Sequence, residues 1–166
     1  MRKDFGSKTY LYPMPVLIIG TYNEDGTANA MNAAWGGISD FDKIAIALSN
    51  HKTTDNLKQT KSFTVSVGTA SMVEACDYVG IVSGNKIPDK VSRAGLHAIK
   101  SKYVNAPIFK ELPLALECEV ISFDEKSEIL TGKIINVSAD EEILTDGNID
   151  VKKLRPITYD PINHYY

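Results

Sequence analysis

The chain has 166 residues, the size of one domain spanning 1–166, and at this length roughly 70% of the unfolded surface is buried without help from a disulfide or metal. A hydrophobic share of 43% and a charged share of 23% exclude a disordered chain. A net charge of -3 argues against a general nucleic-acid binder, because neutralising phosphates needs a surplus of Lys and Arg.

Taken in chain order, Pro13 and Pro15 lead into Val16–Ile19, a continuous apolar run that predicts a strand buried on both faces. Asp25-Gly26 predicts a hairpin, with a second strand from Thr27 to about Trp35. Lys43–Ser49 predicts a third strand. A helix follows from about Thr53 to Lys61, with Thr53 or Thr54 offering the N-cap oxygen. Ser62–Gly68 alternates Phe63, Val65 and Val67 with Ser and Thr, the clearest period-two strand signal in the chain. A second helix starts near Ser71, where Ser71 and Glu74 have capping-box spacing, and Gly80 and Gly84 are expected to end or loosen it. Residues 84–112 read as irregular, and a loop of that length in a small domain usually serves a site. Pro113 opens a strand with Leu114, Leu116, Cys118 and Val120 on one face, and Ser127–Val137 is expected to pair with it. Six mainly antiparallel strands with short helices predict a barrel or sandwich.

Several chemistries are absent. No apolar run approaches the ~20 residues that cross a bilayer, so no membrane partner is expected. No long apolar stretch follows Met1-Arg2-Lys3-Asp4, so no export signal is seen and a cytoplasmic location is expected. Without export, the sequon Asn136-Val137-Ser138, set in a predicted strand, is expected to go unused. Cys76 and Cys118 read as buried reduced thiols. His51, His97 and His164 lie far apart without metal-ligand spacing, so no metal site is expected. There is no nucleophile elbow and no Gly-x-Gly-x-x-Gly dinucleotide loop, and Gly80–Lys86 has the wrong spacing for a phosphate loop.

Two stretches remain. Ser49-Asn50-His51-Lys52-Thr53-Thr54-Asp55-Asn56 joins a strand end to a helix start. Free N–H groups at a helix N-terminus, a Lys charge and a Thr hydroxyl are what a terminal phosphate requires. The plainer reading is a Thr-capped helix with solvated His51 and Lys52. Asn29-Ala30-Met31-Asn32-Ala33-Ala34-Trp35-Gly36-Gly37 combines small residues, which let a flat ligand approach the backbone, with two amides and the single tryptophan. The plainer reading here is a buried strand with a core Trp35.

In their order and spacing, these motifs resemble the flavin reductase-like, flavoredoxin-type proteins. Pro15-Val16, Gly20-Thr21-Tyr22, Asp25-Gly26 and the Asn29–Gly37 run carry the likeness. It continues through Lys52-Thr53-x-x-Asn56, Asp77-Tyr78-x-Gly80, Ser83-Gly84-x-Lys86, Asp89-Lys90 and Ala106-Pro107. It extends to Pro113-Leu114-x-Leu116-Glu117-Cys118 and Pro156-Ile157-x-Tyr159-Asp160, so that it covers about residues 8–166. The resemblance implies a mainly β, FMN-binding split β-barrel of antiparallel Greek-key type, and a homodimer with sites near the subunit interface. It implies that Asn29, Asn32, Ala33, Ala34 and Trp35 face the flavin ring and that Ser49, His51, Lys52 and Thr53 surround the phosphate. It also brings Lys86 and Lys90 from the long loop toward the flavin, where Lys86 would favour the anionic reduced ring and raise its potential. The family pattern continues with a Leu-Gly-Glu segment that does not occur before Tyr166.

The implied function is an FMN-dependent oxidoreductase, with NAD(P)H or a redox partner protein as electron donor. No protein acid–base catalyst is expected, since the cofactor carries the redox chemistry. Two alternatives stay open: a flavoredoxin-like electron carrier without a nicotinamide site, and a pyridoxamine-phosphate-oxidase-like enzyme.

Overall fold

A computed structural model describes all residues, 1–166. In chain order the elements are β1 (Leu17–Tyr22), β2 (Ala28–Ala33), β3 (Gly36–Asp40), β4 (Lys43–Ala47), α1 (Lys52–Thr60), β5 (Ser62–Val67) and α2 (Val73–Ile81). They continue with α3 (Lys90–Arg93), β6 (Ala98–Lys100), β7 (Pro107–Phe109), β8 (Leu114–Asp124), β9 (Ile129–Ala139), β10 (Leu144–Thr145), β11 (Asn148–Ile149) and α4 (Val151–Leu154).

Seven strands form one antiparallel sheet in the order β2-β1-β5-β8-β9-β4-β3. Its two edge strands, β2 and β3, are consecutive in the chain and joined only by Ala34 and Trp35. A two-residue link forces the edges together at that end, so the sheet curls into a half-barrel, the split-barrel fold expected from sequence. The inner face holds one core, including Leu17, Ile19, Ile44, Ile46, Leu57, Phe63, Val65 and Leu130. A second core, with Val16, Ile18, Ala30, Cys76, Val79 and Phe109, lies between the outer face of β1–β2 and the helices. Because β1 contributes to both cores, its residues from Leu17 to Ile19 are buried on both faces, as their unbroken apolar run predicts. The thiols of Cys76 and Cys118 are buried, which pushes them up to about 11 and about 12.

The structure corrects several boundaries. Where one strand was expected to Trp35, β2 ends at Ala33 and a separate strand, β3, follows. The edge strand β3 is largely exposed and lacks the apolar alternation of a half-buried strand; its pairing with β4 holds it. The predicted capping box at Ser71 does not form: residues Ala70–Met72 make a 3-10 turn, and Met72 precedes α2 without a side-chain cap. α2 ends at Ile81, between the two glycines expected to end it, and Gly80 is its penultimate residue. A Cβ there would sit 2.9 Å from Asn32 Cβ, so the glycine permits close packing of α2 on β2. Residues 84–112 contain α3 and the β6–β7 ribbon, anchored where Ser101 Oγ donates to the buried carboxylate of Glu117. Asn136 of the sequon lies in β9 and donates to the same carboxylate at 2.7 Å. No helix is long and apolar enough to cross a membrane.

Candidate functional site

The closing link between β2 and β3 is also the wall of a cleft of about 490 Å³, within the usual range for a small-ligand site. The cleft is lined by Met31–Trp35 of β2 and the link, Ala47–Ser49 at and beyond the end of β4, and His51 before α1. Asp77, Gly80 and Ile81 of α2 and Tyr159, His164 and Tyr166 of the C-terminal segment complete it. Trp35 is 47% exposed and packs edge-on to Tyr159 at 6.0 Å, so it is a cleft wall and not a core residue. Tyr159 and Tyr166 lie 5.7 Å apart, extending the aromatic surface.

The C-terminal segment is pinned by the backbone. Tyr159 N donates to Met14 O at 2.9 Å and Ile157 N to Gly68 O at 3.0 Å. At the turn that follows, Asp160 accepts from Asn163, Ile162 N and Tyr12, which hold its carboxyl down at about 2. It therefore stays ionised at neutral pH while the turn presents His164 and Tyr166. Across the cleft, Asn32 Nδ2 donates to Cys76 O and to Tyr166 Oη, both at 3.1 Å. Tyr166 Oη donates in turn to Asp77 Oδ1 at 2.8 Å. Burial, then the bond to Asp77, raises the Tyr166 hydroxyl well above its ordinary value, so it remains a donor.

The anion-ready end lies at the start of α1. His51 is the N-cap residue, not Thr53 or Thr54; its N–H donates to Thr54 Oγ1 at 3.0 Å. The first-turn N–H groups of Lys52 and Thr53 have no hydrogen-bond partner, as expected of a helix start. Ser49 Oγ and His51 Nε2 are 3.2 Å apart on the cleft lip. Lys52 turns to an adjoining polar hollow, shared with Asn23, Glu24, Asp25, Gly84 and Asn85.

Of the residues chosen from sequence, the structure brings Asn32, Ala33, Ala34, Trp35, Ser49 and His51 into one cleft, with Lys52 next to it. Asn29 and Thr53 are instead buried together beneath α1. Asn29 Nδ2 donates to Thr53 Oγ1 at 2.9 Å, and Asn56 Nδ2 reaches Thr21 and Asn23 close by. These amides and hydroxyls satisfy one another and fasten α1 to the sheet. A Cβ at Gly84 would lie 2.6 Å from Asn29 Oδ1, so the loop after α2 rests on this knot.

Two lysines depart from expectation. Lys86 is exposed and lines neither hollow. Lys90 is only 4% exposed, and its Nζ donates to Val79 O at 3.0 Å and Val82 O at 2.9 Å. It ties down the last carbonyls of α2 and does not line the cleft. Burial lowers its ammonium to about 8. The sequence choice missed Asp77, Gly80, Ile81, Tyr159, His164 and Tyr166. Asp77, Gly80 and Tyr159 stood in motifs that carried the family resemblance, and the aromatic-rich ending from Tyr159 to Tyr166 was the signal for His164 and Tyr166.

This geometry joins a flat, aromatic-walled cleft to a helix start with free N–H groups, and the comparisons with known proteins agree with it. The family model described as "Flavin reductase like domain" matches residues 9–160. The structure is similar to flavoredoxin of Desulfovibrio vulgaris (Miyazaki F), with a TM-score of 0.95 and 34% identity over 100% of this chain and 92% of that one. It is also similar to flavoredoxin from Methanosarcina acetivorans, with a TM-score of 0.87 and 27% identity over 100% and 90% of the two chains. An FMN-binding domain of a flavin reductases-like enzyme from Shewanella baltica shares the fold, with a TM-score of 0.82 and 21% identity over 93% and 85%. The matched residues span nearly the whole half-barrel and its cleft, so the chain belongs to the flavin reductase-like domain family and serves flavin-related redox chemistry.

Proposed function

We propose that the chain is an FMN-binding oxidoreductase domain, with the ring in the Trp35–Tyr159 cleft and the phosphate at the start of α1. The observation that carries this reading is the meeting of the two halves at Ser49–Lys52. Ser49 and His51 line the cleft, while the free N–H groups of Lys52 and Thr53 and the Lys52 ammonium stand beside it. Helix-start N–H groups and a Lys are a suitable donor set for a phosphate dianion, and small Ala33 and Ala34 let a planar ring approach β2. FMN would supply hydride and electron transfer when bound. The protein's own residues bind and orient: Trp35 covers one edge, the Asn32–Tyr166–Asp77 chain fixes the opposite side, and α1 holds the anion.

The electron donor is NAD(P)H or a redox partner. The second reading, a carrier reduced only by a partner protein, is favoured by the 34% identity to a flavoredoxin over the full chain. Anaerobic mixing with FMN and then NADH or NADPH tests both. Uptake of FMN followed by rapid bleaching supports the reductase. Uptake with stable yellow colour against both nucleotides supports the carrier. A protein that takes up no FMN overturns the reading.

A homodimer belongs to the same proposal. The open side of the half-barrel leaves Ile38 66% exposed and Val137 49% exposed. In the strand registers they pair with Ile44 and Leu116, on the face that carries the inner core. An apolar sheet face of this kind suits a second copy. Sedimentation should give a dimer, and Ile38→Glu with Val137→Lys should give a monomer.

A further inference from the structure

The ring cleft is expected to carry the sign of charge opposite to the one a Lys-flanked flavin site would have. Among its lining residues there is no Lys or Arg, and Asp77 is the one carboxylate. Lys86 lies outside the cleft, and the Nζ of Lys90 is spent on the carbonyls of Val79 and Val82. Asp77 is placed by α2 and held by a single neutral donor, the Tyr166 hydroxyl at 2.8 Å on Oδ1. Its Oδ2 has no hydrogen-bond partner. Tyr166 is itself fixed by Asn32 of β2, so the one donor that orients the carboxylate is held in place.

We propose that Asp77 is a tuning residue whose negative charge makes the cleft hold an oxidised flavin more tightly than a reduced one. This rests on the assignment of the flavin ring to this cleft. Two-electron reduction with uptake of one proton leaves the ring one charge more negative. A carboxylate beside it, in a cleft lined mainly by apolar and aromatic side chains, opposes that charge more strongly than it would in water. The bound flavin is thereby a stronger reductant than free FMN. A cleft with this property favours onward delivery of electrons to an acceptor and disfavours their storage.

The test is the ratio of affinities for oxidised and dithionite-reduced FMN, measured on the full chain, together with the bound-flavin midpoint potential. The wild type should prefer the oxidised form. Asp77→Asn should shift the ratio toward the reduced form by about tenfold, equal to a rise of about 30 mV for a two-electron couple. Tyr166→Phe keeps the carboxylate and removes its donor, so it should shift the ratio the other way, by about two- to threefold. A merely structural role would move both variants in the same direction or leave the ratio unchanged, and either result overturns the proposal. Wild-type protein that takes up no FMN overturns both this inference and the assigned function. Uptake with an unmoved ratio overturns this inference alone.

Discussion

The two ends of the site are built on different principles. The end proposed for the phosphate is continuous in sequence: Ser49–Thr54 supplies the lip, the free N–H groups and the cation, and a knot of neutral amides and hydroxyls fastens it from below. The ring end is assembled from β2, α2 and the C-terminal segment, which lie far apart in the chain. Its scaffold also contains a charge, because the end of α2 is tied by the buried Lys90. A local device is robust and readable, whereas an assembled one depends on the packing of every contributor.

The largest expected effect separates the two scaffolds by pH. Burial depresses the folded-state value of Lys90 to about 8, below that of an unfolded lysine. Between about pH 8 and 10.4 the unfolded chain then binds more protons at this position than the folded one, so the contribution of Lys90 to stability rises with pH across that window. The gain is at most about 3 kcal/mol. Denaturant titrations at pH 7.5 and 10 should show wild type gaining on Lys90→Met by that amount, both proteins sharing the opposing loss from the buried Cys76 and Cys118 thiols; a pH-independent difference between the two would sink the assignment. The neutral knot beneath α1 contributes nothing to it.

Next in size is the ring wall. Trp35→Ala should weaken FMN and riboflavin by the same factor, about 1–3 kcal/mol of stacking, because the ring is common to both. Equilibrium dialysis with the two flavins would expose a mistake here if only FMN suffered. The smallest effect is at the other end. Lys52→Ala should weaken FMN by about 1 kcal/mol, with riboflavin unaffected and the difference shrinking in high salt. Equal loss for both flavins would mean that the phosphate does not sit at α1.

This contrast also explains what could be read in advance. The strand at Val16–Ile19 declares itself because an unbroken apolar run is buried on both faces; the alternation of Ser62–Val67 shows a strand but not its burial, since Ser62, Thr64 and Ser66 are buried along with Phe63 and Val65. The start of α1 was legible because a helix terminus is a local object. Thr53 and Asn29 carry the right chemistry for a ligand, yet the fold turns them toward each other; sequence shows donors and acceptors but not which ones satisfy one another. Lys90 misled for a related reason. A lysine in a loop reads as a solvated or ligand-seeking charge, and only the close approach of α2 reveals carbonyls that need it. Asp77, His164 and Tyr166 were invisible as a set because 87 or more residues separate the first from the others, and nothing local couples them.

The two-residue link between β2 and β3 has a consequence for how such a protein can diversify. Ala34 and Trp35 close the barrel and wall the cleft at once, so a loop inserted there to widen the cleft would also part the sheet's two edges. Variation in what this cleft admits must therefore come from side-chain replacement on α2 and on the C-terminal segment, whose anchoring to Met14 and Gly68 leaves the barrel intact. The seam couples closure of the sheet to the shape of the cleft, whereas the tail can change the cleft without touching the sheet's edges.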